Sequence, residues 1–184
     1  MSYRNTDSRW GWVAQGFHWL MFLLIAGAWL AFELHDDAPK DSPERLQWIL
    51  LHKSLGMTVL FLVWWRLAWR LANPVPKALI VSPWQARIAT LTHWGLYAIM
   101  ILLPLSGVLM TLFGGRPLAW FGLFELPIHV EQNKPLSHQF HDLHTDVFWP
   151  LLMVLLALHI GAALWHHFVV KDATLKRMLP GTRV

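Results

Sequence analysis

Four long blocks of apolar residues constrain this chain more than any other feature. They cover approximately residues 12–32, 48–72, 88–113 and 145–170. Each is as long as the roughly 20 residues that a helix needs to cross the hydrocarbon core of a bilayer. In that solvent a helix satisfies its backbone hydrogen bonds within its own segment. The sequence therefore predicts an all-α fold, a transmembrane four-helix bundle that forms a single domain over residues 1–184.

The composition excludes several classes of function. The chain has no cysteine, which removes disulfides, cysteine-bound iron–sulfur clusters and covalently attached haem c. It also lacks the glycine-rich loops of nicotinamide, flavin and nucleotide sites. The basic residues follow the membrane spans and form no compact soluble patch, so no nucleic-acid partner is expected. The partners we expect are membrane lipid and small or lipid-soluble molecules.

Lysine and arginine are divided unequally between the two sides of the predicted bundle. The termini and the connection after the second span hold ten of them, with only Asp7 and Asp172 as acids. The ten are Arg4, Arg9, Arg66, Arg70, Lys77, Arg87, Lys171, Lys176, Arg177 and Arg183. The opposite side holds five basic residues and nine acidic ones. By the positive-inside rule, both termini are predicted to be cytoplasmic.

Among the 11 histidines, the candidates that lie within the apolar blocks or at their ends are His18, His52, His93, His144 and His159. An ionisable side chain inside a membrane is costly, so each is a functional candidate. For any single one, a hydrogen-bonded histidine that only packs between helices is the alternative. The depths of these histidines in the membrane favour a functional role, because each half of the membrane holds one histidine of the fourth span and one of another span.

The spacing along the fourth span suits two stacked cofactors. His144 and His159 are 15 residues apart, or about 22 Å at 1.5 Å per residue. His159 lies at the depth of His18, and His144 at the depth of His52. Two imidazoles on one iron make a haem b with no open position, which suits electron transfer. Zinc or copper binding competes with this interpretation, but it usually recruits carboxylates or thiolates, and the spans hold almost none.

Arg66 supports the haem hypothesis. It follows His52 by 14 residues on the same predicted helix, about 21 Å deeper and level with His18 and His159. A buried guanidinium needs an anion, and the sequence offers no acidic residue at that depth. A haem propionate would serve. The alternative is that Arg66 extends to the lipid headgroups.

The ordered motifs of the chain resemble the bacterial cytochrome b561 family over nearly its whole length. They include Phe17-His18-Trp19-Leu20, Leu51-His52-Lys53-Ser54-Leu55-Gly56 with Arg66 and Arg70, His93 with Tyr97, Pro104-Leu105-Ser106-Gly107, Leu143-His144 and Leu158-His159. The resemblance implies an inner-membrane protein with two haem b groups. It also implies that His18 and His159 bind the inner haem iron, and His52 and His144 the outer one.

The last span departs from the family pattern by one residue. Its two histidines are 15 residues apart, one more than is usual in the family. Each additional residue turns a helix by about 100° and would rotate His144 away from its partner. Pro150 lies between the two histidines and permits a kink or a π-bulge that absorbs one residue. We therefore retain His144 as the outer ligand, with His141 as the alternative.

The leading functional hypothesis is an oxidoreductase that links superoxide, or a periplasmic electron donor, to ubiquinone. Some members of the family resemble superoxide:ubiquinone oxidoreductases. Lys53 and Arg116 would attract an anionic donor on the outer side, while His93, Arg70 and Lys77 are candidates for quinone binding. The second hypothesis is an electron-carrier subunit without a substrate of its own. The third is a non-redox membrane protein that binds metal.

Overall fold

Four long apolar helical runs carry the fold. The computed structural model describes residues 2–79 and 82–182, so Arg183 lies outside the described residues. The runs are α1 (Trp12–Asp37), α2 (Pro43–Ala72), α3 (Pro83–Phe113) and a composite run over Lys134–Val170. Each is long and apolar enough to cross a membrane. The predicted all-α transmembrane four-helix bundle is confirmed.

The fourth run changes its helical geometry along its length. It begins as α4 (Lys134–Asp142), continues as a π-helical segment (Leu143–Phe148), becomes α5 (Trp149–Trp165) and ends in a second π-helical segment (His166–Val170). The Asn133 side chain caps its start by accepting a hydrogen bond from the Leu136 N–H at 3.1 Å. This cap satisfies a backbone donor that the first turn leaves without a partner.

Prolines stand at three helix starts. Pro43 and Pro83 are the first residues of α2 and α3, and Pro135 lies in the first turn of α4. A proline is favoured there because its missing N–H needs no partner and its φ angle already suits a helix. These three helices therefore begin ahead of the apolar blocks predicted from the sequence.

A short hairpin follows α3. Strands β1 (Ala119–Trp120) and β2 (Phe124–Glu125) pair antiparallel, and they are the only strands in the described part of the chain. The hairpin is bound to α2 through two hydroxyl groups. The Trp120 Nε1–H donates to Thr58 Oγ1 at 3.1 Å, and the Phe121 N–H donates to Ser54 Oγ at 2.8 Å.

The chain divides into two compact units. The first consists of Met1–Leu20, Trp64–Ile99 and Leu151–Val184, and the second of Met21–Val63 and Met100–Pro150. The first unit contains His18, His93 and His159, whereas the second contains His52 and His144. Each of the histidine sets that the sequence placed at one depth therefore lies within a single unit. The prediction of one domain stays a prediction.

Within the first unit, the C-terminal residues hold the start of α1. Gln15 Nε2 donates to the Arg177 carbonyl at 3.0 Å, and Trp19 Nε1 donates to the Met178 carbonyl at 2.9 Å. Arg177 also donates from Nη1 to the Lys77 carbonyl at 2.9 Å. The bonds of Gln15 and Trp19 lie on either side of His18 along α1, so the C-terminal segment helps to fix the helix that carries this histidine.

A charged contact ends the fourth helical run. Lys171 adopts the left-handed conformation at φ 59°, and His166 Nδ1 donates to Asp172 Oδ2 at 2.6 Å. Burial acts to raise the pKa of the Asp172 carboxyl, but hydrogen bonds from Thr174 and His166 outweigh it and lower that pKa. Asp172 therefore stays ionised at neutral pH and keeps its bond to the last helical turn.

Candidate haem-binding sites

In the second unit, the rings of His52 and His144 lie next to each other. Their centroids are 6.2 Å apart and their planes are inclined by 80°. A metal–imidazole bond is about 2 Å long, so one iron between two imidazoles puts their centroids roughly 6 to 6.5 Å apart. The observed separation therefore fits one iron bound by both histidines, and α2 and the π-helical segment supply the two rings.

The far sides of both rings are held by backbone carbonyls. His52 Nδ1 donates to the Ala28 carbonyl at 2.8 Å, and His144 Nδ1 donates to the Leu103 carbonyl at 2.8 Å. A carbonyl can only accept, so these contacts require the proton on Nδ1. The lone pair of Nε2 is then available for a metal. Metal-binding histidines are typically oriented in this way.

Gly107 and Ser106 shape the surroundings of His144. A Cβ atom added at Gly107 would lie 3.1 Å from His144 Cε1, which is tighter than most van der Waals contacts. The buried Ser106 hydroxyl donates to the Leu103 carbonyl at 2.7 Å. Its oxygen also lies 3.0 Å from His144 Nδ1, so this N–H is shared between two acceptors. A side chain at position 107 would therefore displace the His144 ring from its observed position by a few tenths of an ångström.

The two histidines of the second unit line a cleft with about 640 Å³ of empty space, part of it open to the surroundings. Its walls are largely apolar and include Phe32, Met57, Gly56 and Leu118. Largely apolar walls with a few polar groups are typical of cofactor sites. Lys53 also lines it, so the residue that the sequence proposed as an anion contact lies in the same cleft as the paired imidazoles.

The additional residue of the last span is absorbed by the π-helical segment. The Trp149 N–H bonds to the His144 carbonyl five residues earlier, the π-helical spacing. Of the kink and the π-bulge that the sequence allowed, the structure has the π-helical geometry. It brings the His144 ring next to His52, whereas His141 is exposed and contacts Asp142 at 3.3 Å. His141 also lines the cleft, but the ring paired with His52 is that of His144.

In the first unit, three histidine rings are neighbours in space, with His159 next to both of the others. The centroids of His18 and His159 are 5.9 Å apart with planes inclined by 54°. His93 lies on α3, and its centroid is 5.5 Å from that of His159, at 70°. The spacing of His18 and His159 again fits one iron between two imidazoles. His93 is a third ring at the same place and is suited to contact a bound group from another side.

Two guanidinium groups lie beside these rings. Arg66 Nη2 is 3.3 Å from His18 Nδ1, and its Cζ lies 5.4 Å from the Tyr97 ring centroid. Arg70 Cζ lies 5.5 Å from the same ring and 5.7 Å from that of Trp94. Among residues 2–79 and 82–182, no carboxylate lies within ion-pair distance of Arg66 or Arg70. A bound anion such as a haem propionate would complement this charge.

The donor set favours haem over a directly bound metal ion. In the described part of the chain, no three histidine or acidic side chains converge in an arrangement that would hold a metal ion. A structural zinc site needs about four protein ligands, whereas a porphyrin supplies the equatorial nitrogens and leaves only the two axial positions to the protein. Pairs of imidazoles therefore fit haem better than free zinc or copper.

Sequence reasoning missed the groups that orient the outer histidine pair. The acceptors are the backbone carbonyls of Ala28 and Leu103, and a backbone atom has no sequence signature. Leu118 and Trp120 of the hairpin region were also missed, because two-residue strands give no periodic pattern. Ser106 carried one available signal, since a polar residue next to a glycine inside an apolar helix suggests a close polar contact.

Comparison with known proteins identifies the family. The model of prokaryotic cytochrome b561 matches residues 9–181. The chain is 32% identical over 186 residues to "Cytochrome b561 homolog 2" of Escherichia coli K12, covering 97% of this chain and 95% of the relative. It is 34% identical over 170 residues to "Probable superoxide oxidase CybB" of Yersinia pestis, covering 91% and 94% respectively.

A third relative agrees with these two. "Cytochrome b561 homolog 1" of Escherichia coli K12 is 32% identical over 164 residues, covering 89% of this chain and 92% of the relative. The chain belongs to the prokaryotic cytochrome b561 family. It is a haem b electron-transfer protein that crosses the bacterial inner membrane several times and contacts its lipid.

Proposed function

We propose that this protein holds two haem b groups and passes electrons from superoxide to ubiquinone. The inner haem would be bound by His18 and His159, and the outer haem by His52 and His144. The observation that carries this proposal is that both histidine pairs have the separation expected for one iron between two imidazoles, 5.9 Å and 6.2 Å. A relative bearing the name of a probable superoxide oxidase supports the choice of substrate.

The protein residues would bind and orient the two haems. Haem iron supplies reversible one-electron chemistry, and two axial imidazoles leave it no position for oxygen. The carbonyls of Ala28 and Leu103 fix the tautomers of the outer ligands, so that each presents Nε2. Arg66 and Arg70 supply positive charge for the propionates of the inner haem.

Lys53 is the best candidate for contact with the electron donor. It lines the cleft of the outer histidine pair and brings a positive charge to that cleft. A small anion such as superoxide would be attracted to this charge, and a cleft with low-dielectric walls focuses such attraction. The predicted outer side is otherwise acidic, with nine acidic residues against five basic ones, so the attraction has to be local.

The quinone is assigned to the neighbourhood of the inner pair. A quinone needs hydrogen-bond donors near its carbonyl oxygens and an apolar surface beside them. His93, Arg70 and Tyr97 provide donors, and the Trp94 ring next to Arg70 provides apolar surface. Lys77, also considered from the sequence, is exposed and lies in the connection after α2, where its backbone N–H donates to the Asp7 carbonyl at 2.8 Å.

The haem content of the purified protein tests the cofactor assignment. Because there are two histidine pairs, we expect close to two haem b groups per chain in a pyridine haemochrome assay. Simultaneous quantitation of protein by amino-acid analysis fixes the ratio. One haem per chain would contradict the assignment of one of the two pairs, and none would remove the proposed function altogether.

The reaction with superoxide tests the substrate assignment. We expect superoxide to reduce the haems rapidly in stopped flow, and added ubiquinone to reoxidise them with formation of quinol. Lys53→Gln should slow haem reduction by superoxide, whereas Lys40→Gln, which removes an exposed lysine of the same side, should not. Haems that remain oxidised under superoxide but are reduced by quinol would indicate an electron carrier without a superoxide substrate.

The orientation in the membrane is a separate prediction. The distribution of lysine and arginine predicts that both termini are cytoplasmic. An alkaline phosphatase domain fused after the last residue should therefore be inactive, because this enzyme needs the periplasm to form its disulfides. The same fusion placed after Glu131, in the connection between α3 and α4, serves as the control and should be active. The reverse pattern would invert the predicted topology.

A further inference from the structure

We propose that the two haem sites are built for different reduction potentials and that Arg66 raises the potential of the inner haem above that of the outer one. This inference rests on the proposed binding of haem at both histidine pairs. It goes beyond that proposal because it assigns a direction to electron transfer from the surroundings of the ligands. The protein controls haem potential through ligand hydrogen bonding, burial and nearby charge.

The outer pair is surrounded by acceptors. His52 Nδ1 and His144 Nδ1 each donate to a backbone carbonyl at 2.8 Å, and Ser106 Oγ is a second acceptor 3.0 Å from His144 Nδ1. A hydrogen bond from Nδ1 to an acceptor makes the imidazole a stronger electron donor to its metal. Stronger donation stabilises the ferric state, so these three acceptors lower the potential of the outer haem.

The inner pair is surrounded by cations instead. Arg66 Nη2 lies 3.3 Å from His18 Nδ1, and a guanidinium has only N–H donors to offer. Unlike the carbonyls of the outer site, Arg66 therefore cannot accept a hydrogen bond from the imidazole, and it places a positive charge beside this ligand. Arg70 adds a second positive charge beside the same Tyr97 ring that Arg66 contacts. A positive charge disfavours the ferric state, which carries one more unit of charge than the ferrous state, and so raises the potential.

Lys53 acts in the opposite sense, because it lines the cleft of the outer pair. It does not reverse the order of potentials, because the outer ligands donate to carbonyl acceptors, whereas a guanidinium lies beside Nδ1 of His18. Two guanidinium groups beside the inner pair stand against one ammonium group and three hydrogen-bond acceptors beside the outer pair.

The consequence is electron transfer towards the inner site. One electron would pass from a ferrous haem held by His52 and His144 to a ferric haem held by His18 and His159. No bond and no proton moves in this step. Two superoxide anions would each give one electron to the outer site and leave as O2, and one ubiquinone would take up both electrons and two protons at the inner site to form quinol. The difference in potential favours transfer from the superoxide side to the quinone side.

A redox titration of the purified di-haem protein tests the order of potentials. We expect two waves, and the ligand substitution His144→Met identifies the outer haem, because methionine in place of one histidine raises the potential. The lower wave should move upwards and the upper wave should stay. If the upper wave moves instead, the outer haem has the higher potential and the inference is wrong, even though two bound haems still support the proposed function.

Substitution of Arg66 tests the cause. Arg66→Gln should lower the upper wave by about 59 mV, a tenfold change in the equilibrium constant for one electron. Arg66→Lys should restore most of the shift because it keeps the charge, and Arg87→Gln, at an exposed position on α3, should leave both waves unchanged. If the Arg66→Gln protein does not bind the inner haem, the test compares the potential of the upper wave in the Arg66→Lys variant with that in the wild type. Waves that do not respond to the charge at position 66 would overturn the role of Arg66.

Discussion

Replacing His144 by alanine is expected to remove the outer haem and to leave the inner haem bound, whereas replacing His141 should leave both. The reason lies in the π-helical segment, which turns the His144 ring towards His52 at 6.2 Å. His141 is exposed and contacts Asp142 instead. Haem content of the two variants should thus fall to about half for His144→Ala and stay unchanged for His141→Ala.

The two variants form a matched pair, because each removes one histidine side chain from the same helical run, at positions three residues apart. Low-temperature electron paramagnetic resonance separates the two low-spin haems, so the haem that remains can be identified. The His52→Ala variant should lose the same signal as His144→Ala. If the His141→Ala variant lost the resonance signal of the outer haem and the His144→Ala variant kept it, His141 would be the ligand of the outer haem and the assignment of His144 would be wrong.

Hydropathy and helical rise predict a large part of this structure. Four apolar blocks give four helices because a bilayer allows few other folds for such segments. The rise of 1.5 Å per residue places Arg66 near His18, and in the structure the two side chains are 3.3 Å apart. Depth along a helix follows from counting residues, so the grouping of the histidines could be predicted without any tertiary information.

The direction in which each side chain points around its helix could not be predicted by counting residues. His144 reaches His52 only because Leu143–Phe148 is π-helical. The sequence allows a bulge near Pro150 but does not fix where it begins. The orientation of both outer ligands depends on carbonyls of other helices, at Ala28 and Leu103. Such partners are decided by packing, which a one-dimensional pattern does not contain.

The start of the fourth helical run shows a different limit. It begins at Lys134, ahead of the predicted span at residues 145–170, because residues 134–142 form an amphipathic helix and not an apolar one. A hydropathy pattern detects the part of a helix that lies in lipid and misses a polar extension. The correct signal was local: Asn133 as the capping residue and Pro135 in the first turn predict a helix start.

Gly107 gives the second large expected effect. A Cβ atom at this position would lie 3.1 Å from Cε1 and 3.3 Å from Nδ1 of His144, so a side chain there pushes the ring away from the Leu103 carbonyl. Gly107→Val should therefore abolish binding of the outer haem, and Gly107→Ala should weaken it. The inner haem should be retained in both variants, since His18 and His159 lie in the other compact unit.

The control for this substitution is Gly161→Ala. A Cβ atom at Gly161 would meet nothing within 4 Å, although this glycine also lies in the middle of an apolar helix. A general effect of replacing a glycine inside an apolar helix would appear at both positions. A steric effect on His144 would appear only at position 107. Haem content and the outer electron paramagnetic resonance signal measure the outcome. An outer haem that is retained in Gly107→Val would show that the ring of His144 does not need the space which this glycine provides, and would remove the steric account of the site.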